Sequence, residues 1–173
     1  MRLEVGVGFS EKGDLAEGKY AFRPKVTGDD VVFLDLRPPE SGSLLKHGAG
    51  WVVADAQHLP FKDGAFDEVY SSHLIEHLSD PLGFLKECHR ILRKGGVLRL
   101  WCPNVLSKNM YRDPSHVFRP NPRLMKRLLA RAGFQAHFDC PAVGSLFPRF
   151  FRIALRSLYL LLANDIRIEA VKA

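Results

Sequence analysis

The sequence predicts an α/β fold, a mainly parallel sheet with helices on both faces. Three observations carry that expectation. Short apolar runs alternate with segments of helical spacing. The runs are apolar nearly throughout, as in strands buried on both faces. Each run also ends in glycine, aspartate, serine, histidine or asparagine, and parallel sheets bind ligands at the carboxyl ends of their strands. With 173 residues the chain suffices for one ordinary core, so a single domain over 1–173 is expected.

The first strand is LEVGV (3–7), followed by Gly8, Phe9 and Ser10. VVFLDL (31–36) is the second and closes on Asp35; WVVA (51–54) is the third and leads into Asp55. FDEVYSS (66–72) runs into His73 as the fourth. PLGFLKECHRILRKGG (81–96) has apolar residues near helical spacing, opens at Asp80-Pro81 and is expected to stop at Gly95-Gly96. VLRLWCP (97–103) is the fifth strand, and a second helix is expected over 122–132, ended by Gly133. GFQAHFDC (133–140) and IRIEAVKA (166–173) complete the strands.

Composition narrows the class. With 46% apolar and 25% charged residues the chain is that of a folded globule, and no repeat or low-complexity tract interrupts it. Cys88, Cys102 and Cys140 are isolated and odd in number, which fits buried thiols in a reducing cytoplasm better than a disulfide framework. The opening MRLEVGVGFS includes Glu4 and lacks a signal-peptide apolar run, so a cytoplasmic location is expected. The net charge of +6 is concentrated. Residues 104–156 hold 10 basic and 2 acidic side chains, whereas residues 1–103 hold 13 and 15. That surplus is either a solvated face or an attraction to an anionic partner.

At the strand ends, Gly6 and Gly8 let a backbone approach a ligand closely. A dinucleotide fingerprint would place a third glycine where Glu11 stands, which argues against NAD(P). The Asp35 carboxylate can accept hydrogen bonds from both hydroxyls of a ribose, or it caps a helix. Asp55 with Ala56 can meet an adenine amino group, or Asp55 simply makes a turn.

Together these residues meet a known pattern. The stretch 52–104 resembles the class I S-adenosylmethionine-dependent methyltransferases, especially the methyltransferase-11 group. D-A-x-x-L-P-F, F-D-x-V, H-x-x-E-H and R-x-L-x-x-G-G carry the likeness, with the later R-D-P-S-H and A-G-F; it covers roughly residues 1–140. The resemblance implies a Rossmann-like seven-stranded, mostly parallel sheet with the last strand antiparallel, and S-adenosylmethionine as cofactor. It further implies Glu4, Gly6 and Gly8 beside the methionine part, Asp35 on the ribose, and Leu36 flanking the adenine. Asp55 and Ala56 would meet the adenine edge, and Ser71, Ser72 and His73 the methionine and sulfonium side. The chain departs from the pattern in having Ser10 at the usual third glycine and in starting almost on its first strand, so a shallower pocket is expected.

His73-Leu74-Ile75-Glu76-His77 is also the H-x-x-E-H string of inverted zinc peptidases. Zinc needs a third protein ligand, and no helical ligand motif follows, so no metal is expected. Glu76 and His77 are expected to fix the helix start beside the cofactor.

Methyl transfer to a hydroxyl or amine needs alignment and a proton acceptor. His73 and His116 are the candidate bases; alternatively, His116 orders its loop through Asp113. No Asn/Asp-Pro-Pro-aromatic tetrapeptide follows the fourth strand, which disfavours nucleic acid. A small-molecule, sugar or lipid-type acceptor is expected, with Tyr111, Arg112 and Arg119 suited to an anionic one. The alternative is a non-catalytic methyltransferase-like scaffold or membrane-associated interaction protein. Ser10 and the short N-terminus motivate the scaffold, whereas SLFPRFFRIALRSLYLLLAN (145–164) is expected as an amphipathic helical insertion with Arg149, Arg152 and Arg156 on one side. It either covers the sheet or provides a peripheral membrane contact or homodimer surface.

Overall fold

The computed structural model describes residues 1–7, 26, 28–37, 50–139, 158 and 162–173. Seven strands form one sheet: β1 (Arg2–Val5), β2 (Val31–Asp35), β3 (Gly50–Val53), β4 (Phe66–Ser72), β5 (Leu92–Pro103), β6 (Phe134–Phe138) and β7 (Asp165–Lys172). Their order is β3-β2-β1-β4-β5-β7-β6. Strands β3 to β5 across the sheet are parallel, and β7 runs antiparallel to both its neighbours. The sheet is therefore the expected seven-stranded, mostly parallel one.

Helices α1 (Pro81–Ile91) and α2 (Pro122–Arg131) start with the same chemistry. Asp80 and Asn121 accept hydrogen bonds from the Gly83 and Leu124 N–H groups, each at 2.9 Å, and proline takes the first helical position. A free N–H at the helix start is thereby satisfied, where proline has none to lose. Both helices pack on one face. Phe84, Leu85, Cys88 and Ile91 of α1 join Met125 and Leu129 of α2 against Leu3, Val5, Val69, Leu98 and Leu100. The other face carries Val31, Phe33 and Tyr70, with Trp51 and Trp101 against them. Among the described residues that face carries no helix.

One boundary differs from the expectation. Helix α1 stops at Ile91 rather than at Gly95-Gly96, and β5 begins five residues early, at Leu92. Leu92 is wholly buried and pairs with Phe66; the register then shifts, so that Glu68 meets Val97. Gly95, at φ +75°, lies in the surplus chain between these pairs. The two glycines serve a bulge in the strand rather than the end of the helix.

Of the amphipathic stretch 145–164, only Leu158 and residues 162–164 lie within the described residues; Leu158 and Leu162 are both exposed. Gly8 and Ser10 lie outside the described residues, as does Cys140. Among the described residues no helix is long and apolar enough to cross a membrane.

Candidate functional site

A cleft opens at the carboxyl ends of β1, β2 and β3. It is lined by Gly6, Leu34, Asp35, Leu36, Ala54, Asp55, Ala56, Leu74 and Leu78. Five of the residues expected from the sequence meet there: Gly6, Asp35, Leu36, Asp55 and Ala56. Parallel neighbours bring their carboxyl ends to one rim, with Val5 beside Leu34 and Asp35 beside Val53. Two carboxylates thus stand at adjacent strand ends with apolar walls between them. Such a set suits a nucleoside, offering acceptors for hydroxyl or amino groups and flat apolar surface for a base. Leu36 is 68% exposed at the mouth of the cleft, so its side chain is open to a ligand.

Gly6 closes the floor of the cleft. Its φ is +73°, and a Cβ there would lie 2.8 Å from the Leu74 side chain. Only glycine adopts that conformation freely and admits Leu74 so close.

Asp55 combines both roles open to it from the sequence. It lines the cleft, and its Oδ1 accepts the Gln57 N–H at 2.8 Å to form a tight turn. That backbone hydrogen bond is the chief reason its pKa lies below the usual carboxylate range. Gln57 then carries the turn to the helix, its Oε1 accepting from the Ser79 hydroxyl at 3.1 Å and the Asp80 N–H at 2.8 Å.

Arg90 of α1 holds the next part of this loop. Its guanidinium donates to the carbonyls of Phe61 (2.7 Å) and Leu59 (2.8 Å), to Asp63 (2.7 Å) and to both oxygens of Glu87 (2.8 and 2.9 Å). Glu87 in turn accepts the Leu59 N–H at 2.9 Å. The loop bearing Asp55 and Ala56 is pinned to α1 along its length.

The remaining expected residues lie outside the cleft lining. Glu4 is buried within the sheet, where its Oε2 accepts the Val26 N–H at 3.2 Å. Ser71 is wholly buried, and Ser72 is half-buried at the end of β4. His73 follows with φ +52°, its N–H donating to the Trp101 carbonyl at 2.9 Å and its Nδ1 lying 3.3 Å from Glu76 Oε1. Leu34, Ala54, Leu74 and Leu78 line the cleft without having been expected there. Leu74 and Leu78 were legible only as an apolar i, i+4 pair, the ordinary signature of a core face.

A second cluster forms on the short turn Ile75–His77. The loop after β5 folds back onto it, Phe118 N–H donating to the Glu76 carbonyl at 2.9 Å. This brings the His116 ring to 4.7 Å from that of His77, edge to face. His116 Nδ1 meets the Met110 carbonyl at 3.1 Å, and its Nε2 lies 3.8 Å from Asp113. The Asp113 carboxylate accepts from the Ser115 hydroxyl and N–H, contacts that keep its pKa below the usual range.

A strand order of 3-2-1-4-5-7-6 with a cleft at the carboxyl ends of β1 to β3 is the layout of an open α/β sheet, in which ligands sit at those strand ends. Residues 3–100, more than half of the chain, match the family model described as a methyltransferase domain, and the chain belongs to that family. It is 38% identical over 137 residues to a probable S-adenosylmethionine-dependent methyltransferase of Mycolicibacterium smegmatis, covering 77% of this chain and 51% of that protein. It is 43% identical over 115 residues to the chloroplastic tocopherol O-methyltransferase of Arabidopsis thaliana, covering 61% of this chain and 31% of that one. The match thus spans about half or less of these curated relatives. In fold it is similar to the crystal structure of a SAM-dependent methyltransferase from Archaeoglobus fulgidus. The TM-score is 0.62 at 20% identity, over 99% of this chain and 85% of that one.

Proposed function

We propose that this protein is an S-adenosylmethionine-dependent methyltransferase acting on a small-molecule, sugar or lipid-type acceptor. The observation that carries the proposal is the meeting of Gly6, Asp35, Leu36, Asp55 and Ala56 in one cleft. When bound, the cofactor supplies a methyl group activated by its sulfonium charge. Asp35 accepts the ribose hydroxyls, Leu36 covers one face of the adenine, and Asp55 and Ala56 meet its edge. Gly6 leaves the backbone open on the methionine side, with Glu4, Ser71, Ser72 and His73 near it. Gly8 has the same assignment.

His73 and His116 are the groups assigned to proton removal from the acceptor; where His116 instead holds a cation through Nε2, the role falls to His73 alone. His73 stands at a strand end with the Glu76 carboxylate behind its Nδ1. The tocopherol enzyme is named for a small-molecule acceptor, and the basic excess of residues 104–156 favours one that carries negative charge.

Titration calorimetry with S-adenosylmethionine, its demethylated product and NAD tests the cofactor. The first two are expected to bind and NAD not; binding of NAD alone, or of none, sinks the proposal. Asp35→Ala is expected to weaken S-adenosylmethionine by about 1.5–3 kcal/mol, the scale of hydrogen bonds to a charged group. An unchanged Kd in a folded variant removes Asp35 from the ribose.

A further inference from the structure

We propose that Glu76, His77 and His116 form a binding site for one divalent transition-metal cation beside the cofactor cleft. The sequence argued against a metal because H-x-x-E-H lacks a third ligand. The fold brings His116 in from another motif, R-D-P-S-H. Each of the three side chains can offer one ligand atom, and these atoms all lie within 4.8 Å of one another.

Glu76 is the independent sign. Its side chain is 0% exposed, and neither carboxylate oxygen has a hydrogen-bond partner among the described residues. A buried carboxylate without donors is costly, because water solvated it before folding and nothing equivalent replaces that solvation. Its nearest cationic candidate is His73 Nδ1 at 3.3 Å. A dication compensates the charge fully.

The two imidazoles are arranged as ligands. The Ser115 hydroxyl gives its single proton to Asp113, so at 2.9 Å from the same oxygen His77 Nδ1 is the donor. His116 Nδ1 likewise donates to the Met110 carbonyl. In both rings the lone pair is therefore on Nε2, with ring orientation fixed by a hydrogen bond from the other nitrogen. Metal-binding histidines are held in that way.

Two imidazoles and a carboxylate favour zinc-like or iron-like ions over magnesium or calcium, and leave coordination positions for water or another oxygen. Leu74 and Leu78 of the same turn line the cleft. If the cleft holds the cofactor as proposed above, the open positions would take a hydroxyl or carboxylate oxygen of the acceptor.

The test needs no methyl transfer. Chelator-treated full-length protein is titrated with cobalt(II) and zinc chloride, by absorption and calorimetry. One equivalent per chain is expected, without sulfur-to-cobalt charge-transfer bands. His77→Ala and His116→Ala are each expected to weaken binding at least ~10-fold, and Ser115→Ala about 10-fold through the lost ring anchor. Circular dichroism checks that each variant is folded; the exposed Ser115 serves if a histidine variant is not. No saturable binding up to about 1 mM metal, thiolate bands, or equal binding in wild type and all folded variants overturns the site. Loss of S-adenosylmethionine binding with cation binding intact would sink the cofactor reading alone.

Discussion

Phe66→Ala is expected to destabilise the protein by about 3–5 kcal/mol, the range for emptying a large aromatic site in a core. Phe66 is 0% exposed and meets the Phe61 ring edge to face, with centroids 4.8 Å apart. It opens β4, which lies between β1 and β5, and it holds the pair with Leu92 on which the early start of β5 depends. Neighbouring strands cannot collapse into the space without breaking their ladder. Since domains are stable by only about 5–15 kcal/mol, a large share of the total is at stake. Urea denaturation should show a lower midpoint at unchanged slope. A loss below about 1 kcal/mol would mean that the site relaxes, contrary to its packing.

Arg90→Ala is expected to cost about 2–3 kcal/mol, from hydrogen bonds to a charged group and from the Leu59 and Phe61 carbonyls left behind. The pair with Asp63, which is 79% exposed, contributes little. Arg90→Lys should not restore the loss, because an ammonium cannot span two carbonyls and a carboxylate in one plane. The effect has a pH signature. Hydrogen bonding from Arg90 is the largest cause holding the Glu87 pKa below its ordinary value. A lowered carboxylate pKa contributes stability in full above the unfolded value, and that contribution fades as pH falls through the folded one. The difference between wild type and Arg90→Ala should therefore narrow below about pH 4.3. A constant difference down to acid unfolding would remove Glu87 from the clamp. Because the clamp pins the loop of Asp55 and Ala56, the variant should also bind S-adenosylmethionine more weakly.

The sheet was legible wherever one local signal had one meaning. FDEVYSS predicts a strand over 66–72, and β4 is Phe66–Ser72. Asp35 and Asp55 could be set on one rim because parallel strands share a polarity. Gly95-Gly96 had two meanings, a helix stop or a strand bulge, and the burial of Leu92 decided between them. The cleft walls Leu74 and Leu78 look the same in sequence as any core pair. Glu76 and His77 stand out in H-x-x-E-H, but the joining of His116 to them was not legible. It depends on the return of the loop after β5, anchored by the Phe118–Glu76 backbone bond, and no local pattern encodes that path.

The antiparallel insertion of β7 between β5 and β6 sets the order in which this protein assembles. β6 has β7 as its sheet neighbour, so a chain already synthesised through α2 and β6 cannot yet dock that strand. Until Asp165–Lys172 arrives, β5 presents an edge of unpaired backbone groups along Val97–Pro103. Such an edge invites pairing with another chain, and a pairing so distant in sequence forms slowly because chain entropy is lost before any contact is made. Pulse-labelled hydrogen exchange during refolding should find amides of β1 and β4 protected before those of β6 and β7. Aggregation yield should rise most steeply in the interval between the two.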